Sequence, residues 1–261
     1  MISKRIQKLI RSLELKKNRK AEGLFLAEGP KIVGDLLSAD FHPRVLLAVN
    51  HAYDYWRGIV DNDSDIVSNG CELISVTEEE LQRLSLLQHP QEVLAVFEMP
   101  KEGEVTDFAP NSLSLALDSV QDPGNLGTII RIADWFGIKT IYCSTDTADA
   151  YNPKVVQATM GSIARVNVVY TSLPALLDSL PQEIPVYGTL LDGENLYEQE
   201  LSPRGIIVMG NEGKGISPMV RQRVNQKILI PPYPNDEKTA ESLNVATATA
   251  IICAEFRRRM K

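Results

Sequence analysis

The feature that most constrains the fold is an alternation, over the second half of the chain, of short apolar runs with segments of helical periodicity. Short apolar runs bounded by turn residues are typical of fully buried strands, and helical segments supply the crossovers that parallel strands need. We therefore predict an α/β fold with a mostly parallel sheet covered on both faces. The predicted strands are residues 113–117, 139–143, 166–170, 186–190, 206–209 and 228–230.

The first hundred residues predict a separate, small α/β domain. Ile6, Leu9, Ile10 and Leu13 recur at helical spacing and indicate an amphipathic helix that shows its basic residues outward. Residues 100–112 (PKEGEVTDFAPNS) are polar, contain Gly and Pro, and lack periodicity, which favours a linker. The predicted domains are 1–100 and 113–261, joined by a linker at 101–112. Within the first, strands are expected at 24–26, 45–49 and 93–97, and helices at 30–37 and 77–87.

Composition excludes several classes of protein. No window approaches 18 uninterrupted apolar residues, and the chain opens with charged residues, so we expect neither a membrane span nor a signal peptide. The cysteines Cys71, Cys143 and Cys253 are odd in number and far apart, which suits neither a disulfide framework nor a zinc site. We expect a cytoplasmic protein without a metal.

The charge of the chain is distributed unevenly. The net charge is −7, but residues 1–20 carry eight bases and one acid, which leaves 19 bases against 33 acids in the remainder. The first segment is therefore +7 on a remainder of −14, and a localised excess of bases is what phosphate neutralisation requires. A merely solvated helix face is the alternative. The bases predicted to contact RNA are Lys16, Lys17, Arg19 and Lys20.

The first motif is 118–131, DSVQDPGNLGTIIR, in which a strand ends in a Pro/Gly turn and a helix starts near Asn125. Helical spacing places Thr128, Arg131 and Trp135 together on one face. The other face is a predicted buried stripe. Arg131 would thus be held on a rigid helix near the carboxyl end of the sheet, where ligands of open α/β folds bind. The stripe comprises Leu126, Ile129, Ile130, Ala133 and Phe136.

The second motif is 206–216, IIVMGNEGKGI, a buried strand that runs directly into three glycines. Glycine lets main-chain amides approach a ligand closely. The spacing matches neither the dinucleotide-binding fingerprint nor the P-loop, because Lys214 is followed by Gly215. A plain glycine-rich turn is the alternative, and Glu212 is the residue that such a turn explains least well.

The third motif begins with the strand 228–230, passes through Pro231-Pro232, and enters a helix over 245–256 after Ser242-Leu243-Asn244. Ser242 is a candidate N-cap. Asn244, in the first turn of an apolar helix, is harder to explain without a ligand.

Taken together, the three motifs resemble the SpoU/TrmH class of the SPOUT methyltransferases. Residues 152–161 are also similar to a stretch typical of that family. The resemblance is strong over 113–257 and loose over the first hundred residues, which resemble the ribosomal-protein-like substrate domain of many members. One departure is the segment 231–241, PPYPNDEKTAE, which is longer and more acidic than expected and bears on the wall of the cofactor site.

The resemblance implies transfer of a methyl group from S-adenosylmethionine (SAM) to a ribose 2′-hydroxyl of RNA, with ribosomal RNA favoured over tRNA. It implies a C-terminal trefoil knot and a homodimer whose active site borrows from both subunits. No metal is needed, because a sulfonium methyl is already activated. Main-chain groups near four residues would hold SAM: Leu190, Gly210, Ile230 and Leu243. The implied catalytic set is Arg131, Asn125, Glu212, Ser242 and Asn244.

The role of Arg131 follows from its chemistry. A guanidinium is effectively always protonated in proteins, so we expect Arg131 to hold phosphate and stabilise an oxyanion instead of acting as a base. Glu212 is the only carboxylate of the set, and the identity of the proton acceptor stays open. Two other functions were weighed: a non-catalytic RNA-binding or ribosome-assembly protein, and an NAD-type oxidoreductase, which lacks its expected glycine turn.

Overall fold

The computed structural model describes residues 2–100, 112–234 and 240–259. By their contacts these residues divide into two compact units. The first is drawn from Met1–Lys101 and Asp149–Arg165, and the second from Glu102–Ala148 and Val166–Lys261. Apart from Ser112, the predicted linker lies outside the described residues, as do positions 235–239 of the acidic segment. No helix in the described ranges is long and apolar enough to cross a membrane.

The chain forms ten strands and eleven α-helices within these ranges, numbered here in chain order. The strands are β1 Leu24–Glu28, β2 Pro43–Val49, β3 Glu72–Val76, β4 Val93–Glu98, β5 Leu113–Leu117, β6 Thr140–Cys143, β7 Asn167–Tyr170, β8 Val186–Asn195, β9 Gly205–Met209 and β10 Gln226–Leu229. The helices are α1 Lys4–Ser12, α2 Lys16–Glu22, α3 Pro30–Leu37, α4 Tyr53–Asn62, α5 Ser64–Ser68, α6 Glu78–Leu84, α7 Pro123–Trp135, α8 Pro153–Thr159, α9 Leu173–Asp178, α10 Pro218–Arg221 and α11 Val245–Arg259.

The first unit contains a four-stranded sheet in the order β1-β4-β2-β3, in which only β2 and β3 run parallel. The three predicted strands and the helix at 30–37 are confirmed. The helix predicted at 77–87 is shorter, because Thr77 is its N-cap and forms a capping box with Glu80. β3 and α4 were not predicted, since each buries only one or two side chains and therefore shows little apolar periodicity.

The basic N-terminal segment forms two helices, where the amphipathic pattern predicted one. Ser3 caps α1 by accepting from the main-chain N–H of Ile6, and α1 buries Ile6 and Ile10. α2 follows after a short turn and ends at Gly23, whose φ of 67° is in the left-handed region that favours glycine.

Residues 149–165 belong to the first unit, although they lie between β6 and β7 in sequence. α8 buries Val155 and Val156 and contacts β1. The ring of Tyr151 lies 4.8 Å from that of Phe25, measured between centroids. The sequence prediction assigned all of 113–261 to one domain, because an apolar pattern shows that a helix is buried without showing which core it joins.

The second unit contains a six-stranded parallel sheet in the order β10-β8-β9-β5-β6-β7. The predicted parallel α/β architecture is thus confirmed. The central strands β5 and β9 are buried throughout, as expected for strands covered on both faces. β8 is longer than predicted. Its residues 189–193 bulge out of the ladder, because Lys227 and Ile228 of β10 pair with Gly188 and Glu194.

The direction of the crossovers locates a crevice in this sheet. The chain leaves β5 through α7 toward β6, and leaves β9 through α10 toward β10, which lies on the opposite side. Adjacent strands whose connections diverge leave an open crevice beyond their carboxyl ends, where ligands of open α/β sheets bind. α11 packs against α7, so its first turn is brought to the same region.

Candidate functional site

α7 carries the first part of the site. It begins at Pro123, two residues before the predicted start, because proline suits the first helical position. Leu126, Ile129, Ile130 and Ala133 are buried as predicted, whereas Phe136 follows the helix and is only half-buried. Thr128, Arg131 and Trp135 are exposed on the other face, and the Trp135 side chain is 84% exposed.

Three of the predicted site residues are joined by hydrogen bonds at the carboxyl ends of β5 and β9. Asn125 Nδ2 donates to Glu212 Oε1 at 2.8 Å, and Asn244 Nδ2 donates to Asn125 Oδ1 at 3.0 Å. Each amide is thereby oriented, since its donor and acceptor are both engaged. We call this set the Asn–Asn–Glu network. It joins the loop after β9, the first turn of α7 and the start of α11.

Asn244 also caps α11. Its Oδ1 accepts from the main-chain N–H groups of Ala246 (2.9 Å) and Thr247 (3.2 Å), which is the bonding pattern of an N-cap. The prediction that Ser242 is the N-cap is therefore wrong. Ser242 is exposed and forms no hydrogen bond with any residue that the structure describes.

The loop after β9 is organised by Asn211, which sequence reasoning missed. Asn211 and Gly215 exchange two main-chain hydrogen bonds of 3.0 and 2.9 Å. The side-chain oxygen of Asn211 accepts from the N–H groups of Gly213 and Lys214, and its Nδ2 donates to the carbonyl of Ser119. The loop that carries Glu212 is thus closed on itself and tied to the loop after β5. An Asn immediately after a buried strand was the available signal.

Gly210 is required by this turn. A Cβ at Gly210 would lie 2.3 Å from the carbonyl carbon of Gly215 and 2.4 Å from the nitrogen of Ile216. These are main-chain atoms, so relief would require the turn to open. The sequence prediction attributed this glycine to close approach of a ligand, whereas the closest constraint is the loop itself.

A second polar cluster fixes the loop after β5 and was also missed. The Asp146 carboxylate accepts from the hydroxyls of Ser119 (2.5 Å) and Ser144 (2.6 Å), and these hydrogen bonds hold the pKa of Asp146 below its usual value. Asp118 is buried at the end of β5 and accepts from the N–H of Ser217 at 2.6 Å. Asp118 and Asn211 thus join the two loops from opposite directions.

Arg131 is not joined to the network within one chain. It lies six residues beyond Asn125 on α7, about 9 Å along the helix axis. Its side chain is exposed and has no hydrogen bond or ion pair with the residues described here.

The main-chain groups predicted to hold SAM are compatible with that role. Leu190 lies in the 189–193 bulge, while Gly210 and Ile230 directly follow β9 and β10. Over the described ranges, none of these three residues is paired in the sheet ladder, so their N–H and C=O groups remain available. Leu243 is half-exposed beside Asn244, which connects it to the same edge. These residues fit a ligand recognised by main-chain groups.

The predicted RNA contacts in the first unit are only partly exposed. Lys16, Lys17 and Lys20 project outward from α2. Arg19 is 1% exposed: its Nη1 donates to the carbonyls of Leu13 and Glu14, both at 2.8 Å, and its Nη2 lies 2.6 Å from the Asp149 carboxylate. The prediction that Arg19 contacts RNA is therefore wrong, because a guanidinium enclosed by protein acceptors cannot reach a phosphate.

Comparison with known families gives two matches that together span most of the chain. Residues 112–254 match the model of the SpoU rRNA Methylase family. Residues 4–95 match the model of the MRM3-like substrate binding domain. The division between the matches falls at the predicted linker.

Known proteins of similar length show the same relationship. The chain is 32% identical to the 23S rRNA (guanosine(2553)-2′-O)-methyltransferase RlmP of Bacillus subtilis, over 95% of this chain and 94% of that protein. A solved structure from Porphyromonas gingivalis, assigned to the TrmH family, is 40% identical with a TM-score of 0.84 and covers 99% of each chain. An AdoMet-bound rRNA methyltransferase from Sinorhizobium meliloti is 28% identical with a TM-score of 0.87, covering 100% of this chain and 97% of that one.

Proposed function

Because the chain belongs to the SpoU rRNA Methylase family, we propose that it transfers a methyl group from SAM to a ribose 2′-hydroxyl of ribosomal RNA. The observation that carries the proposal is the Asn–Asn–Glu network, which lies in the crevice where β5 and β9 diverge. A non-catalytic RNA-binding protein on the same fold would not need an oriented carboxylate at this position. The relatives named for ribosomal RNA support that substrate over tRNA.

The residues of the site divide the work between orientation and charge. SAM, when bound, supplies a methyl group already activated by the sulfonium. The main-chain groups of Leu190, Gly210, Ile230 and Leu243 would hold it at the carboxyl edge of the sheet. Glu212 Oε1 is occupied by Asn125, which leaves Oε2 to accept a hydrogen bond from the ribose hydroxyl. Orientation of the hydroxyl lowers the barrier by removing alternative geometries.

Arg131 supplies a permanent positive charge. We assign it to the phosphate next to the reacting ribose and to the negative charge that develops on the 2′-oxygen. Since Arg131 lies about 9 Å along the helix from Asn125 of its own chain, we propose that it completes the network of a second copy in a homodimer. The exposed face of Arg131 and Trp135 is the proposed interface.

We also propose the trefoil knot and a cytoplasmic location. The knot is supported by the position of Asn244, which precedes the last helix and yet bonds to the first turn of α7. A crystal structure that traces the chain from β9 to α11 tests the knot. Cell fractionation tests the location.

The function is tested with radiolabelled SAM and ribosomal RNA from a strain that lacks the gene. We expect the wild-type protein to label one ribose 2′-oxygen, and Arg131→Ala to reduce the rate on the order of a hundredfold or more. Calorimetry should give an unchanged SAM affinity. Lys139→Ala is the matched control, because Lys139 is exposed at the amino end of β6, on the opposite edge of the sheet. Full activity in Arg131→Ala would contradict the assignment.

Mixing variants tests the shared site. If Arg131 acts on the partner's network, a heterodimer of Arg131→Ala and Glu212→Ala chains contains one intact site of two. Random mixing should then restore about a quarter of wild-type activity, since half of the dimers are mixed. No recovery would place Arg131 in its own chain's site, and a monomer by sedimentation would contradict the dimer.

A further inference from the structure

α1 presents a charged groove on its outward face. Five residues line it, at positions i, i+3, i+4, i+7 and i+8, which fall on one side of a helix. The opposite side carries Ile6 and Ile10, which are buried in the first unit. The groove is shallow, with a volume of about 580 Å³, and its lining residues are Lys4, Gln7, Lys8, Arg11 and Ser12.

The three cations of this groove have no protein partner. Among the eight bases of residues 1–20, Arg5 pairs with Glu72 at 3.0 Å and Arg19 pairs with Asp149. Within the described part of the chain, Lys4, Lys8 and Arg11 form no ion pair, and no acid lines the groove. They are spaced over roughly 10 Å of helix. Unpaired cations in a row, on a chain of net charge −7, are typical of a surface that binds a polyanion.

The two neutral residues of the groove offer oxygen acceptors. Gln7 Nε2 donates to the carbonyl of Ile2 at 2.9 Å, and the Ser12 hydroxyl donates to the carbonyl of Leu9 at 2.7 Å. Their donors are therefore used internally, and Gln7 Oε1 and the lone pairs of Ser12 Oγ remain to accept. A ligand that combines negative groups with hydroxyl donors fits this pattern. The RNA backbone combines phosphates with 2′-hydroxyls, whereas DNA lacks the hydroxyl.

We infer that the groove of α1 binds the sugar–phosphate backbone of the substrate RNA, with Lys4, Lys8 and Arg11 on phosphates and Gln7 accepting from a 2′-hydroxyl. This inference rests on the proposed function and specifies where the substrate is held. It moves the principal contact from α2 to α1. Lys16, Lys17 and Lys20 lie outside the groove and contribute long-range attraction, which salt screens.

The test compares two full-length variants with the same change in charge. One replaces Lys4, Lys8 and Arg11 by Gln, and the other replaces Lys16, Lys17 and Lys20 by Gln. The dissociation constant of a labelled RNA hairpin is measured against salt concentration. We expect the slope of log Kd against log salt to fall by roughly 2 to 3 in the first variant, about 0.7 to 0.9 per phosphate contact, and by less than one contact in the second. Both variants change exposed side chains, and circular dichroism confirms folding.

Equal slopes for the two variants, or a wild-type slope in the first, would overturn the groove. A second arm uses the DNA hairpin of the same sequence: wild type should prefer RNA, and Gln7→Met should lose that preference. Equal binding of RNA and DNA by wild type would overturn the 2′-hydroxyl contact. Methyl transfer separates this inference from the function, because the α1 variant should raise the KM for RNA and keep kcat. A wild-type protein without methyl transfer contradicts the function and leaves the binding results interpretable.

Discussion

At the scale of single residues, the arginines of this chain show how strongly position determines role. Arg19 and Arg131 carry the same guanidinium in helices. Arg19 is enclosed by two carbonyls and the Asp149 carboxylate, whereas Arg131 is exposed and unpaired within the described residues. The first stabilises the N-terminal helices, and the second is available for a ligand. Exposure, which charge alone does not reveal, separates the two roles.

Replacing Arg19 should affect stability and not RNA binding. Arg19→Gln leaves the Asp149 carboxylate largely enclosed and without its partner, so we expect a loss of about 3 kcal/mol in the free energy of unfolding. Urea denaturation measures this loss, and the salt dependence of RNA binding should match wild type. A stable variant with a reduced salt slope would return Arg19 to the RNA surface.

Gly210 should tolerate no side chain. Gly210→Ala places a Cβ against the main chain of Gly215 and Ile216, and we expect a loss of about 1 to 3 kcal/mol together with weaker SAM binding. Gly213→Ala is the matched control, because its nearest contact would be Asn211 Oδ1 at 3.7 Å. Thermal unfolding and calorimetry measure the two effects. If Gly210→Ala lost SAM affinity at full stability, the glycine would serve the ligand directly.

At the scale of elements, two helices and two loops converge on one point. α7 begins beyond β5, α11 packs against α7, and the loop after β9 is tied to the loop after β5 by Asn211 and Asp118. Each of these ties joins segments about 90 positions or more apart in sequence. The Asn–Asn–Glu network therefore depends on the correct packing of three separate elements, and Asn244 serves both the helix and the network.

The two roles of Asn244 can be separated by substitution. Asn244→Asp keeps an oxygen that caps α11 but removes the donor to Asn125, so we expect near wild-type stability with a marked loss of methyl transfer. Asn244→Ala removes both and should also lose about 1 kcal/mol of stability. Melting curves and labelled-methyl assays on both variants measure these effects. An active Asn244→Asp protein would show that the donor to Asn125 is dispensable.

At the scale of the whole molecule, the order of the chain and its division into units differ. Residues 149–165 leave the second unit after β6, pack in the first, and return to form β7. Asp149 pairs with Arg19, and Arg165 lies 3.1 Å from Asp35. The two units are therefore joined by more than one passage of the chain.

A fragment that begins at Ser112 should retain the six-stranded sheet but lose the packing of residues 149–165. Val155 and Val156, buried in the full chain, would then be exposed. We expect proteolytic cleavage within 149–165 on the order of tenfold faster than in the full-length protein, because local opening would no longer be opposed by the first unit. Limited proteolysis with mass spectrometry measures the rate. Equal protection in fragment and full chain would show that this segment is stable without residues 1–111.

The sequence by itself determined the elements and the membership of the site. Strand and helix periodicity depends on local main-chain geometry and on burial, so the six strands of the parallel sheet could be predicted from residue patterns. The motif resemblance singled out Asn125, Glu212 and Asn244, which the structure joins by hydrogen bonds.

Only the tertiary structure decided which partner each residue has. Arg19 and Asp149 are separated by 130 positions, and no local pattern relates them. The same holds for the contact that requires glycine at 210, the cap at Asn244 and the unit that residues 149–165 join. Periodicity records whether a side chain is buried, because burial depends on the face of one element. The identity of its neighbours depends on how distant elements pack, and that information lies in the three-dimensional arrangement of the chain.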